Sequence, residues 1–123
     1  MNEEIKKIYN VVFDIIETRL IKQDLIVPFI VTSDAKNIDI VMYEQTDNTT
    51  ELIDTMKKET LANIEAGLIN AFCLCYSVEI IDPRTNQGTD AVLCEFFQSD
   101  EEMKIYIPYN FSDPDIIKKP FQV

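Results

Sequence analysis

Apolar positions in the first twenty-odd residues fall at Ile5, Ile8, Tyr9, Val12, Phe13, Ile16 and Leu20. That spacing predicts a helix over 3–22 with a stripe broad enough to be mostly buried. Asn2 is placed to cap it, Glu3 and Glu4 suit its positive end, and Arg19 and Lys22 suit the other. The pattern then changes period. "DLIVPFIV" and "IDIVMY" are β-branched runs separated by the turn-forming "SDAKN", which predicts two strands. Pro28 lacks a ladder donor and implies an edge, a bulge or a late strand start. Ile38, Ile40 and Met42 alternate with Asp39, Val41 and Tyr43, the pattern of a half-buried strand.

Helical spacing returns with Leu52, Ile53, Met56, Leu61, Ile64 and Leu68. Asn48 and Glu51 resemble a capping box, and Gly67 stands where a left-handed C-terminal cap belongs. Three further strands are predicted over 72–81, 91–98 and 103–109, joined by "DPRTNQG" and "SDEE". The expected fold class is α+β in the order α-β-β-α-β-β-β, a five-stranded antiparallel sheet packed with two helices. Residues 1–123 read as a single domain with 110–123 an irregular C-terminal tail. "IPYNF" at the end of the last strand is either a sheet end covered by that tail or an exposed aromatic contact.

Composition narrows the chemistry. The chain has no histidine, which removes the Ser-His-Asp and Cys-His machineries and the commonest neutral metal ligand. Two glycines leave no glycine-rich phosphate loop. No apolar run approaches the ~20 residues of a membrane helix, and "MNEEIKK" has neither a basic nor an apolar signal region. The expected address is cytoplasmic, with no membrane partner. "NTT" at Asn48 is a glycosylation pattern in letters only, since no secretory signal precedes it.

Charge changes the picture more. The formal net charge is −11, and it is unevenly placed. Residues 1–22 balance. Residues 34–54 hold six acids against Lys36, and residues 79–102 hold seven acids against Arg84 alone. Such surfaces repel phosphate backbones, so no nucleic-acid partner is expected. They suit solubility, or the steering of a basic protein partner. Glu79, Asp82, Asp90, Asp100, Glu101 and Glu102 are the candidate partner-binding residues.

The three cysteines all fall in "AFCLCYSVEIIDPRTNQGTDAVLCEFF". A four-residue loop, with Pro83 presetting φ and Asn86 tolerating the left-handed region, would pair Asp82 with Gln87 and set Cys75 opposite Cys94. A one-residue slip would put Cys94 on the other face. The first register makes Glu79 oppose Asp90, an unfavourable pair, yet the turn chemistry favours it. Alternate strand residues have Cα atoms ~6.8 Å apart. Two thiolates on one zinc lie at most ~4.6 Å apart, so Cys73 and Cys75 read as a poor clamp. A reduced compartment and an odd count argue against a disulfide. Small buried hydrophobes is the expected role, with no metal and no cofactor.

The element order resembles that of the roadblock/longin and profilin-like group, whose five-stranded antiparallel sheet is flanked by helices. Roadblock-type domains end in a third helix, which residues 110–123 do not supply. "VPFIVTSDAKNIDIVMYE", "YSVEIIDPRTNQGTDAVLCEF", "IYIPY" and "KKPF" resemble uncharacterised bacterial proteins. These motifs are turns and strand ends, and the resemblance implies no activity. The expectation is therefore a non-enzymatic, acidic protein-binding module, an immunity-type inhibitor or an adaptor. The alternatives are a homodimeric structural or scaffolding subunit and a small-molecule sensor.

Overall fold

A computed structural model of the chain describes residues 1–43, 49–99 and 101–123. Its elements run α1 (Glu3–Ile21), β1 (Phe29–Ser33), β2 (Ile38–Met42), α2 (Thr49–Glu65), β3 (Ala71–Asp82), β4 (Gln87–Gln98), β5 (Glu101–Tyr109) and β6 (Phe121–Gln122). The strands form one antiparallel sheet in the order β2-β1-β3-β4-β5-β6. The class is α+β, as the periodicities predict. No helix among the described residues is long and apolar enough to cross a membrane.

The helices lie on opposite faces of the sheet. Ile5, Ile8, Val12, Ile16 and Leu20 of α1 join Phe29, Val31, Cys73, Cys75, Cys94, Phe96 and Ile107 in one cluster. Met56 of α2 joins Ile30, Phe72, Leu74 and Phe97 in a second. Strand residues alternate between these clusters, and that is why β3 carries five fully buried residues in succession, Ala71–Cys75. A helix-only or sheet-only pattern on one side would not bury both parities.

The caps follow the residues that predicted them. Asn2 Oδ1 accepts from Ile5 N at 3.0 Å, and Glu4 then ties the start of α1 to β1 by accepting from Ser33 Oγ at 2.9 Å. At the end of α2, Gly67 takes φ +74° while Leu68 N donates to Asn63 O at 2.9 Å, a Schellman closure. Asn48, the capping residue expected for α2, lies outside the described residues. In the β1–β2 turn, Asp34 Oδ1 accepts from Lys36 N and Asn37 N, both at 2.7 Å.

Two expectations are corrected. The sheet has six strands, because Phe121–Gln122 pairs with Tyr106 and Ile105 along the outer edge of β5. Tyr109 also bridges Ile117, and Val123 N donates to Lys104 O at 3.1 Å. The tail is thus partly strand, held by backbone bonds that a periodicity argument over two residues does not detect. The second correction is β2, which is exposed where alternation predicted half burial. Ile38, Ile40 and Val41 are 37%, 47% and 46% exposed. α1 reaches the end of β2, where Arg19 Nη2 lies 3.5 Å from Met42 Sδ, and leaves Ile38, Ile40 and Val41 exposed. Pro28 marks the late start of β1, which is an inner strand.

Candidate functional site

The acidic candidates do not form one face. Glu79 and Asp90 are exposed and directly opposed on the β3–β4 ladder. Glu101 and Glu102 are exposed at the other end of β4, opposite Gln98 and Phe97. From Asp90 to Gln98 the strand runs eight residues, about 26 Å at ~3.3 Å per residue. Glu101 and Glu102 border a cleft of 620 Å³ with Met1, Asn2, Ile5, Phe96 and Met103. Asp100 lies outside the described residues. Proximity in sequence overstated proximity in space, because a long antiparallel hairpin carries its two ends apart.

Asp82 differs from the rest. It is buried, and its Oδ1 accepts from Arg84 N at 2.8 Å while its Oδ2 accepts from Arg84 Nη2 at 3.1 Å. The same guanidinium lies 4.6 Å from the centre of the Phe121 ring, which stacks on Tyr106. The hairpin tip therefore bends back over β5 and β6, and Asp82 serves the tip. The guanidinium and the Arg84 backbone N–H hold the Asp82 carboxyl below its ordinary value. Its stabilisation is present above the unfolded carboxylate value of ~3.9 and is lost as pH falls through the lower folded one. Arg84→Gln should raise the Asp82 pKa, read by NMR titration of its carboxyl carbon. It should also reduce stability above that window by more than at the acid end, where only the contact with Phe121 is lost. An unshifted Asp82 titration would remove the clamp.

The cysteines take the register that the turn residues favour: Asp82 pairs with Gln87 and Cys75 with Cys94. All three thiols are free and fully buried beneath α1. The spacing argument against a clamp fails in one respect. Cys73 Sγ and Cys75 Sγ approach to 3.5 Å, and all three sulfurs lie within 4.8 Å of one another. Side chains on one face of a twisted strand lean together, so sulfurs come closer than their Cα atoms. Burial pushes the Cys73 and Cys75 thiols well above their ordinary value. The neighbouring Cys73 and Cys75 thiols hold that of Cys94 below its ordinary value.

On the opposite face, Glu95 is almost fully buried and accepts from Tyr76 O–H, while Lys57 Nζ of α2 lies 3.4 Å from its other oxygen. Lys57 also stands 5.0 Å from the centre of the Phe97 ring. This trio joins helix to sheet. The "IPYNF" aromatics are likewise committed to packing: Tyr109 and Phe111 lie 5.2 Å apart and rest on the α1 cluster.

No family model matches the chain, and neither a curated protein nor a solved structure matches it.

The surface feature that periodicity missed is the edge of β2. Tyr43 N donates to Pro28 O at 3.0 Å and Asp34 N to Asn37 O at 3.0 Å. With Ile30 opposite Val41 and Thr32 opposite Asp39, those bonds fix the alternation along the pair. Val41 and Asp39 turn their backbone groups toward β1. Ile38, Ile40 and Met42 turn theirs outward, to a side where no strand of the sheet follows among the described residues. The opposite edge of the sheet ends in the two-residue β6. The unbroken run Ile40–Tyr43 was the hint of a strand with apolar residues on each face. Which strand is outermost depends on pairing between distant segments.

Proposed function

We propose that the chain is a non-enzymatic protein-binding module that receives an extended segment of a basic partner along β2. The observation that carries this reading is the outward row of β2 backbone groups beside exposed Ile38, Ile40 and Val41. An exposed, regular, apolar edge strand is a template for strand addition unless something blunts it, and β2 contains no lysine or proline. The net charge of −11, with Asp34 and Asp39 in and beside the strand, favours a basic occupant over a second acidic copy of the chain. A partner-binding role also fits a chain with no histidine and no glycine-rich loop. The dispersed acids at Glu79, Asp90, Glu101 and Glu102 then act through the long-range field and not as a contact patch.

Site-specific photocrosslinking tests this. A benzophenone residue at position 38, exposed on the same strand, with position 81 as the control, should capture one basic protein in cells that make the chain. Ile40→Pro should abolish capture, because Ile40 N–H points outward and its removal spares the ladder to β1. Capture should also weaken as salt rises toward physiological strength. A crosslink to a second copy of the chain would replace this reading with the homodimeric one. Capture that survives Ile40→Pro, or none at all, would sink it.

A further inference from the structure

Cys73, Cys75 and Cys94 converge from two strands onto one point under α1, independently of the β2 edge. Their sulfurs lie within 4.8 Å of one another, with Cys73 and Cys75 at 3.5 Å. A pyramidal three-coordinate centre bonded to three sulfurs at ~2.3 Å, with angles of ~95–100°, would hold them ~3.5 Å apart. Cys73 and Cys75 stand at that spacing, and the third sulfur reaches it by a side-chain adjustment on the order of 1 Å.

The surroundings select the centre. Val12, Ile16, Phe29, Val31, Val92 and Ile105 belong to the same buried cluster, and its buried members are all apolar. The one nearby carboxylate in sequence, Glu95, projects to the α2 face and is engaged there. The chain offers no histidine as a fourth ligand. Three thiolates carry three negative charges, so copper(I) would leave two unbalanced in the core and zinc(II) one. Zinc also prefers four ligands in closed sites. A net charge buried without partners is costly. A trivalent centre leaves none.

We infer that Cys73, Cys75 and Cys94 form a three-thiol site for a trivalent thiophilic metalloid, arsenic(III) or antimony(III). With arsenous acid the step balances without a redox partner. Three As–O bonds break and three As–S bonds form, and the three thiol protons leave with the departing hydroxyls as three waters. Arsenic stays trivalent and the product is neutral. Because the thiols are fully buried, uptake waits on opening of α1 from the sheet, and the rate levels off as arsenite concentration rises. The product joins β3 to β4, and because the fold brings the three sulfurs together beforehand it favours the folded arrangement and raises stability by linkage.

The test is incubation of the intact, reduced chain with arsenite, followed by native mass spectrometry. The expected product carries one arsenic with loss of three protons and of all three titratable thiols. X-ray absorption should show three sulfurs and no oxygen around arsenic, and thermal unfolding should shift upward. Cys73→Ala, Cys75→Ala and Cys94→Ala should each weaken retention by more than ~100-fold, beyond the ~10–100-fold cost of losing a supporting contact. Circular dichroism of each variant keeps a failure to fold distinct from a lost ligand, and the absorption spectrum of the unaltered chain reads the ligand set independently. The inference is overturned by residual As–O coordination, by equal retention in any single variant, or by binding seen only after native structure is lost. Zinc(II) or copper(I) held as tightly as arsenite, or no retention at all, would overturn it equally.

Discussion

Phe72→Ala is expected to destabilise the fold by about 3–5 kcal/mol, the range for truncating a fully buried aromatic. Phe72 is 0% exposed, and its ring stacks on that of Phe97 at 4.7 Å between centroids. The two residues are directly opposed on the β3–β4 ladder. They are central to the cluster under α2, where Met56 is the fully buried helix residue. Ile30, Leu74 and Met56 are buried around it, and close packing lets such neighbours relax only partly into the cavity left by a phenyl ring. A chain of 123 residues has a total stability of roughly 6–18 kcal/mol at ~0.05–0.15 kcal/mol per residue. The substitution therefore removes a large share of it. With a urea dependence of ~2 kcal/mol per molar, the midpoint should fall by roughly 2 M. Ile81→Ala, at a position 69% exposed, should move it by no more than ~0.5 kcal/mol. Equal shifts in the two variants would mean that α2 does not seal this face.

Features that depend on short stretches of chain were legible in the residues. The stripe Ile5–Leu20 named both the extent of α1 and its buried face, since a helix encodes its own neighbours at three and four residues. Gly67 named the end of α2 because few other residues take φ +74° without strain. Pro83 and Asn86 named the hairpin register, and the observed Cys75–Cys94 pairing follows from it. Features that depend on pairing between distant segments were not legible. Alternation in β2 described a strand without saying whether a helix covered it. The acids of residues 79–102 looked like one surface until the hairpin separated them along β4. Phe121 and Gln122 are too few to show a period, and only the open edge of β5 makes them a strand. For the cysteines, parity placed all three on one face, but their convergence at sulfur depends on strand twist and on how the side chains lean.

Tyr76→Phe tests the polar seam between α2 and the sheet. The Glu95 carboxylate is 4% exposed, with Tyr76 O–H on one oxygen and Lys57 Nζ at 3.4 Å from the other. Burial and the bond to Glu95 push the Tyr76 phenol up, so it remains a donor throughout the pH range in which the fold is stable. Removing that hydroxyl strips a buried carboxylate of its neutral partner, and hydrogen bonds to charged groups contribute about 1.5–3 kcal/mol. Lys57→Met should cost less, about 0.5–1 kcal/mol, because the lysine is partly solvated and screened. Glu95→Leu answers a different question, since it takes the shared acceptor from both the Tyr76 hydroxyl and Lys57 and should itself be destabilising. In the double variant Tyr76→Phe/Glu95→Leu the phenol has no carboxylate to abandon. Urea unfolding should then show a double-mutant coupling of at least ~1 kcal/mol. Strictly additive losses would mean that Glu95 is held by α2 alone, and that the phenol is a bystander in the seam.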